Sequence, residues 1–220
     1  VKTFDKNAAC SVFLDALNIA DKMIKSGAYN TALVVGAETL TRLTDWRDRN
    51  TCVLFGDAAG AMIIQKSDEN KIKDVICGSR GDVDSNLICK SVDVKDPAVN
   101  AVSKQDHIHM NGREVFKFAT RILPKTVNDL LERNNKTLDD LDIIVAHQAN
   151  ERIIDKAARD LGFSMDKMFL NISKYGNTSA ASVPLAIDEA IKSGALKQGD
   201  TFITVAFGGG LTWGGALIEL

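Results

Sequence analysis

The sequence lacks the marks of several protein classes, and each lack narrows what it can do. It contains no apolar run of about 18 residues, so no membrane-spanning helix is expected. No leader with a basic start and an apolar middle is visible either, and a cytoplasmic protein is the expectation. Charge of one sign is missing too: 27 Lys and Arg face 29 Asp and Glu, a net charge of −2. Such a balance gives no global attraction to nucleic acid or to an anionic membrane, and any basic patch must be local. The four cysteines, Cys10, Cys52, Cys77 and Cys89, form no C-x-x-C and have no His at metal-ligand spacing. Reduced thiols are the expectation, and no metal site. What is present is ordinary for a globular protein: 220 residues, 45% hydrophobic and 25% charged, enough for a sizeable core in one or two domains.

The chain repeats itself. Ala9-Cys10-Ser11-Val12-Phe13-Leu14 opens an apolar-periodic segment that ends in Ile24-Lys25-Ser26-Gly27-Ala28, followed by the strand-like Ala32-Leu33-Val34-Val35-Gly36. Ala181-Ser182-Val183-Pro184-Leu185 opens a second one, ending in Ile191-Lys192-Ser193-Gly194-Ala195 and followed by Phe202-Ile203-Thr204-Val205. A Phe-Gly turn comes after each strand, at Phe55-Gly56-Asp57 and at Phe207-Gly208-Gly209-Gly210, and each feeds a short apolar strand, residues 61–64 and 215–218. Duplicated β-α-β-β halves packed together predict a layered α/β protein.

The repeat also exposes a gap. Ahead of Asn177 the second half has a strand at 143–146, a helix at 151–161 and a strand at 168–170, whereas nothing equivalent precedes Cys10. The opening Val1-Lys2-Thr3-Phe4-Asp5 reads as a strand already inside a domain, as in a fragment of a longer protein. Two parts are expected, residues 1–72 carrying the remainder of the first half and 73–220 the second. Residues 75–79 read as a strand, 82–105 as a polar, irregular excursion, and 112–134 as a helix that Pro124 should kink or divide. Asn150 suits the cap of the 151–161 helix, and Gly27 and Gly194 suit helix ends.

Cys10 sits where a small-residue loop enters an apolar helix. The positive end of the helix dipole and unpaired backbone N–H groups there favour thiolate over thiol, so an activated nucleophile is expected. His147 and Asn177 lie in small-residue turns at element ends far downstream. Cys, His and Asn together suggest thioester chemistry.

The blocks Asn7-Ala8-Ala9-Cys10-Ser11, His147-Gln148-Ala149-Asn150, Gly176-Asn177-Thr178-Ser179 and Phe207-Gly208-Gly209-Gly210-Leu211-Thr212-Trp213-Gly214 resemble beta-ketoacyl-acyl-carrier-protein synthase III, a thiolase-fold condensing enzyme. The resemblance runs in order over essentially the whole chain, departing from it at Val12, where the family carries a small Gly. It implies a thiolase-like α-β-α-β-α layered fold of two pseudo-repeated halves, the first incomplete, because family members carry a further N-terminal part of roughly a hundred residues.

By this resemblance Cys10 attacks an acyl-CoA primer, acetyl-CoA above all, and holds the acyl group as a thioester. His147 and Asn177 then stabilise the enolate left when malonyl-acyl carrier protein loses CO2, and the Cys10 and Gly209 backbone N–H groups form the oxyanion hole. Arg49 matches a residue packed on the CoA adenine, and Asn150 a contact to the pantetheine arm. Phe55, Ile108, Met110 and Phe207 match positions that shape the acyl pocket, although apolar residues there also serve as plain core. Lys117, Arg152 and Arg159 would form a basic patch for the acidic carrier protein. No cofactor is implied beyond the CoA thioester and phosphopantetheine arm that enter as substrates. The implied partners are acyl-CoA, malonyl-acyl carrier protein and a second copy in a homodimer, with a separate N-terminal fragment as a further possibility. Two alternatives stay open: a polyketide-type ketosynthase using the same Cys-His-Asn set, and a fragment inactive without its N-terminal part.

Overall fold

The structure, a computed structural model, describes residues 1–90 and 106–220. Its centre is a four-stranded sheet in the order β3-β8-β7-β6, with β3 at Ile72–Ser79, β6 at Ile143–Ala146, β7 at Thr201–Gly208 and β8 at Thr212–Glu219. β6 and β7 pair in parallel, and β8 is antiparallel to both β7 and β3. Every residue of Ile143-Ile144-Val145-Ala146 is buried, as a strand covered on both faces requires. A second sheet pairs β1 (Thr31–Thr39) with β2 (Asp57–Gln65) in antiparallel register, Gly36 opposite Gly60.

Two helices fill the space between the sheets. α1 (Val12–Lys25) buries Phe13, Leu17 and Ala20, three to four residues apart, and α5 (Ser182–Ser193) buries Val183, Ala186, Ile187 and Ala190. These side chains share one apolar cluster with Val34 of β1 and with Ile143, Val145, Phe202, Ala206 and Ala216 of the four-stranded sheet. On the far side of that sheet lie α2 (Gly112–Arg133) and α3 (Glu151–Leu161), whose Leu123, Val127, Leu130, Ile154 and Ala157 form the second cluster with Ile144, Ile203 and Leu217. The layers thus run β, α, β, α, the thiolase-like succession of two related halves. The fifth layer is not among the described residues: the outer side of β1 and β2 leaves Leu33 63%, Val35 53% and Ile63 67% exposed.

Several elements differ from the reading of the sequence. Residues 1–8 form no strand, because no neighbour among the described residues offers its backbone a ladder. The strand expected at 168–170 shrinks to a single bridge between Ile144 and Met168. Pro124 does not divide α2, which runs unbroken over 22 residues. A Pro inside a helix costs one hydrogen bond and a clash, about 3 kcal/mol. The buried Ile122, Leu123, Thr126 and Val127 on either side hold the helix against the sheet and offset that loss. The excursion expected at 82–105 begins with structure: β4 (Leu87–Cys89) pairs with β5 (Ile108–Met110). The rest of that stretch, with Pro97, lies outside the described residues.

Candidate active site

Cys10 lies in a single 3-10 turn, Ala9–Ser11, that runs directly into α1, so its backbone N–H belongs to the group that has no partner within the helix. Ala9 holds a left-handed φ of 47°, costly for a residue with a Cβ, and thereby turns the chain into the helix. Two hydroxyls brace the turn: Ser11 Oγ donates to Thr212 Oγ1 at 2.8 Å, and Thr212 Oγ1 lies 3.0 Å from the Ala8 carbonyl. Against the other side packs Gly208. A Cβ there would come 2.7 Å from the Cys10 nitrogen, so only glycine lets the Phe-Gly turn approach the nucleophile.

His147 follows the last residue of β6, and its backbone N–H donates to the Val205 carbonyl at 2.7 Å. Its ring meets Phe207 edge to face, centroids 5.5 Å apart. On the other edge, Nδ1 lies 2.5 Å from the Ser182 hydroxyl. Gln148, next in the chain, uses its whole carboxamide on backbone. Nε2 donates to the carbonyls of Ala146 (2.8 Å) and Phe169 (3.0 Å), and Oε1 accepts from the N–H groups of Asn171 (3.0 Å) and Ile172 (3.2 Å). It therefore ties the His147 turn to the start of α4 (Ile172–Tyr175).

Asn177 lies just beyond α4. Its Oδ1 accepts from the Ser179 N–H at 2.9 Å, which assigns Nδ2, a donor, to the remaining direction. The loop is sewn to the Phe55 turn by two backbone bonds, Asn177 N–H to Leu54 carbonyl at 2.8 Å and Gly56 N–H to Asn177 carbonyl at 2.9 Å. Gly56 is required at this seam, since a Cβ would fall 2.2 Å from the Tyr175 carbonyl oxygen. Glu189 of α5 gathers three side chains ahead of the loop: Asn171 Nδ2 at 2.9 Å, Lys174 Nζ at 2.5 Å and Tyr175 Oη at 2.5 Å. These donors hold its carboxyl well below the usual carboxylate range, at about 2, with the Lys174 contact the largest cause.

One cavity of about 1640 Å³ receives all three side chains, Cys10, His147 and Asn177. Gly209, Phe55, Ile108, Met110, Asn150 and Phe207 line it as well. Four of the expected residues, Arg49, Lys117, Arg152 and Arg159, do not line it. Lys117 is engaged by Glu114 at 2.6 Å and Arg159 by Asp155 at 2.7 Å, whereas Arg152 makes no ion pair among the described residues. Asn150 caps α3, its Oδ1 accepting from Arg152 N–H at 2.9 Å, and Gly162 and Gly194 close their helices with left-handed φ of 69° and 76°.

The electrostatics correct the expected thiolate. Cys10 is 8% exposed, and burial pushes its thiol up to about 11. The Ser179 hydroxyl and the Cys10 N–H pull it down and Glu38 pushes it further up, but desolvation outweighs the favourable contacts. Burial likewise drives His147 down to about 3. Around neutral pH the cavity therefore holds a neutral thiol and a neutral imidazole, not an ion pair. Such a site suits a nucleophile that loses its proton as it attacks, beside hydrogen-bond donors aimed at a developing oxyanion. Among the described residues, no group of three His, Cys, Asp or Glu side chains is placed to hold a metal ion.

Reading the sequence did not single out Ser182, Ser179 or Glu189, nor give Gln148 a role. Gln148 and Ser179 stand inside quoted motifs, and that was their one visible signal. Arg113, exposed and lining the cavity, stands three residues beyond Met110 and carries no motif of its own.

A family model described as 3-oxoacyl-[acyl-carrier-protein (ACP)] synthase III matches residues 4–81, and one for the C-terminal part of the same enzyme matches residues 131–220. A beta-ketoacyl-[acyl-carrier-protein] synthase III from Clostridium acetobutylicum is 51% identical over 217 residues, 98% of this chain and 67% of that protein. The solved 3-oxoacyl-[acyl-carrier-protein] synthase III of Aquifex aeolicus superposes with a TM-score of 0.89 at 43% identity, over 99% of this chain and 67% of that one. A priming beta-ketosynthase of the R1128 polyketide pathway gives 0.89 at 36% identity, over 99% and 65%. The chain thus spans about two thirds of the length of these relatives.

Proposed function

The chain belongs to the 3-oxoacyl-[acyl-carrier-protein] synthase III family, and on that premise we propose that it makes the first carbon–carbon bond of fatty-acid synthesis, joining an acyl-CoA primer to malonyl-acyl carrier protein through acyl-Cys10. The observation that carries the reading is the convergence of Cys10, His147 and Asn177 on one cavity from three separate elements.

In the first half-reaction Cys10 sulfur attacks the thioester carbonyl of the primer. The C–S bond to CoA breaks, CoA leaves as its thiol, and the proton of Cys10 ends on it. Because the resting group is a thiol, the proton must depart as the bond forms. The transient oxyanion is held by backbone N–H groups of Cys10 and Gly209. In the second half-reaction the malonyl group loses CO2, and the enolate oxygen accepts hydrogen bonds from His147 and from Asn177 Nδ2. The enolate carbon attacks acyl-Cys10, the oxo product stays on the carrier protein, and the sulfur takes a proton back from solvent. Each well-placed donor contributes about 3 kcal/mol in such a dry site.

Phe55, Ile108, Met110 and Phe207 would bound the acyl chain, Asn150 would meet the pantetheine arm, and Arg49 would stack on the adenine outside the cavity. Arg152 is the strongest carrier-protein contact of the three cations, being the one without an ion pair. Residues 1–72 are the remainder of the first family half and 73–220 the second half, and a cytoplasmic homodimer is the working form. A polyketide-pathway priming enzyme is the second reading, favoured by the R1128 superposition; the carrier protein that accepts the product decides between them.

Incubation with acetyl-CoA labelled in its acetyl group tests the nucleophile. Label is expected on the protein and absent from Cys10→Ser. Equal labelling of that variant would remove Cys10 from the reaction.

A further inference from the structure

The neutral imidazole of His147 can be a donor or an acceptor toward the cavity, depending on which ring nitrogen carries hydrogen. The atoms around it decide. Ser182, the first residue of α5, is 2% exposed, and its hydroxyl oxygen accepts the backbone N–H of Gln148 at 3.2 Å. Its own hydrogen must go elsewhere, since a buried hydroxyl left without an acceptor loses its hydration with nothing in return. Among the described residues the acceptor within reach is His147 Nδ1, 2.5 Å away. If Nδ1 instead carried the hydrogen, Ser182 would receive two donors and its own hydrogen would have no acceptor. The other ring nitrogen, Nε2, makes no hydrogen bond among the described residues and belongs to a ring that lines the cavity.

We propose that Ser182 is a positioning residue: its hydroxyl donates to Nδ1 of His147 and so holds the imidazole as the tautomer with hydrogen on Nε2, ready to donate into the cavity. Gln148 makes the arrangement rigid. Its N–H fixes the serine oxygen, while its side chain fastens the turn that carries both residues to Phe169, Asn171 and Ile172. Phe207, packed against the ring at 70°, restrains its rotation. Ser182 touches no reacting atom. It acts through His147, and in the reaction proposed above its removal harms the enolate step, where the Nε2 donor is needed.

The test has an arm that does not depend on activity. The protein has three histidines, His107, His109 and His147, so a His107→Asn/His109→Asn variant labelled with 15N-histidine reports on His147 alone. Long-range 1H–15N correlation spectra at pH 7 should show Nε2 protonated and Nδ1 bare. Ser182→Ala should lose that single-tautomer pattern, and Ser182→Thr, which keeps the hydroxyl, should restore it. In the kinetic arm, Ser182→Ala should lower kcat for decarboxylation of malonyl-acyl carrier protein at least tenfold with KM within about twofold of the parent, and Ser182→Thr should recover most of the loss. Hydrogen on Nδ1 in the parent, a doubly protonated ring, or a pattern indifferent to Ser182→Ala would overturn the proposal. If the spectra come out as expected while the parent decarboxylates nothing, the fault lies in the proposed reaction and the role of Ser182 stands.

Discussion

At the scale of single residues, the site is built from groups kept neutral. A helix start favours a thiolate by up to about 2 kcal/mol in good geometry, whereas removing a charge from water costs more. At Cys10 the second effect wins, and the thiol sits near 11. The sign is testable, because alkylation by iodoacetamide requires the thiolate. Its rate at Cys10 should rise about tenfold per pH unit from 7 to 9 with no plateau; a plateau near pH 7 would restore the ionised cysteine. His147→Ala or Asn177→Ala should slow malonyl decarboxylation by about 10²–10³, with a smaller effect on labelling of Cys10 by acetyl-CoA. Equal damage to both half-reactions would argue against donors dedicated to the enolate. The three residues that converge on the cavity, and that are proposed to react there, were legible in the sequence because each stands in a short run of small residues at the end of an element. Their supports were not. Ser182 reaches His147 across 35 positions, and a serine at a helix start reads first as a cap.

At the scale of elements, what matters is how the loop of Asn177 is held. Four turns of different sequence origin meet there: the Phe55-Gly56 seam, the Gln148 clamp, α4 and the start of α5. The Glu189 cluster anchors α4, and its contribution depends on pH in a defined sense. The folded carboxyl titrates at about 2, below its ordinary value of 4.5. Its stabilisation is therefore complete above about pH 4.5 and fades as pH falls toward 2. Glu189→Gln should lower Tm at pH 7 by a few degrees, with the difference from the parent closing between pH 4.5 and 2. A difference that stays constant across that range would mean the carboxylate is not the source. The paired Phe-Gly turns and the matching helix ends announced the β-α-β-β repeat, because hydrophobic period and glycine placement are local signals. Pro124 misled for the complementary reason. The packing of Leu123 and Val127 against the sheet is long-range, and it overrides the local preference of a proline to break a helix.

At the scale of the whole molecule, two sheets and the two helices between them bring distant segments to one cavity, and the duplication explains why Cys10 and Asn177 enter from equivalent places ahead of α1 and α5. Order of layers was readable from the repeat, but no local pattern in Leu33, Val35 or Ile63 tells which face of β1 and β2 stands open. With a net charge of −2, docking of an acidic carrier protein must rest on local cations. Arg152→Glu is expected to raise KM for malonyl-acyl carrier protein several-fold, more steeply at low salt, and to leave acylation by the primer unchanged. A salt-independent effect, or equal loss in both half-reactions, would remove Arg152 from the carrier-protein contact. One cavity is proposed to carry both half-reactions, and a single-turnover chase distinguishes this from two separate sites. Cys10 is loaded with labelled acetyl groups, free acetyl-CoA is removed, and malonyl-acyl carrier protein is added. The label should leave the protein and appear on the carrier as an oxoacyl thioester, with one CO2 released per label transferred. Label that stays on Cys10 while CO2 is released, or that leaves as free acetate, would contradict it.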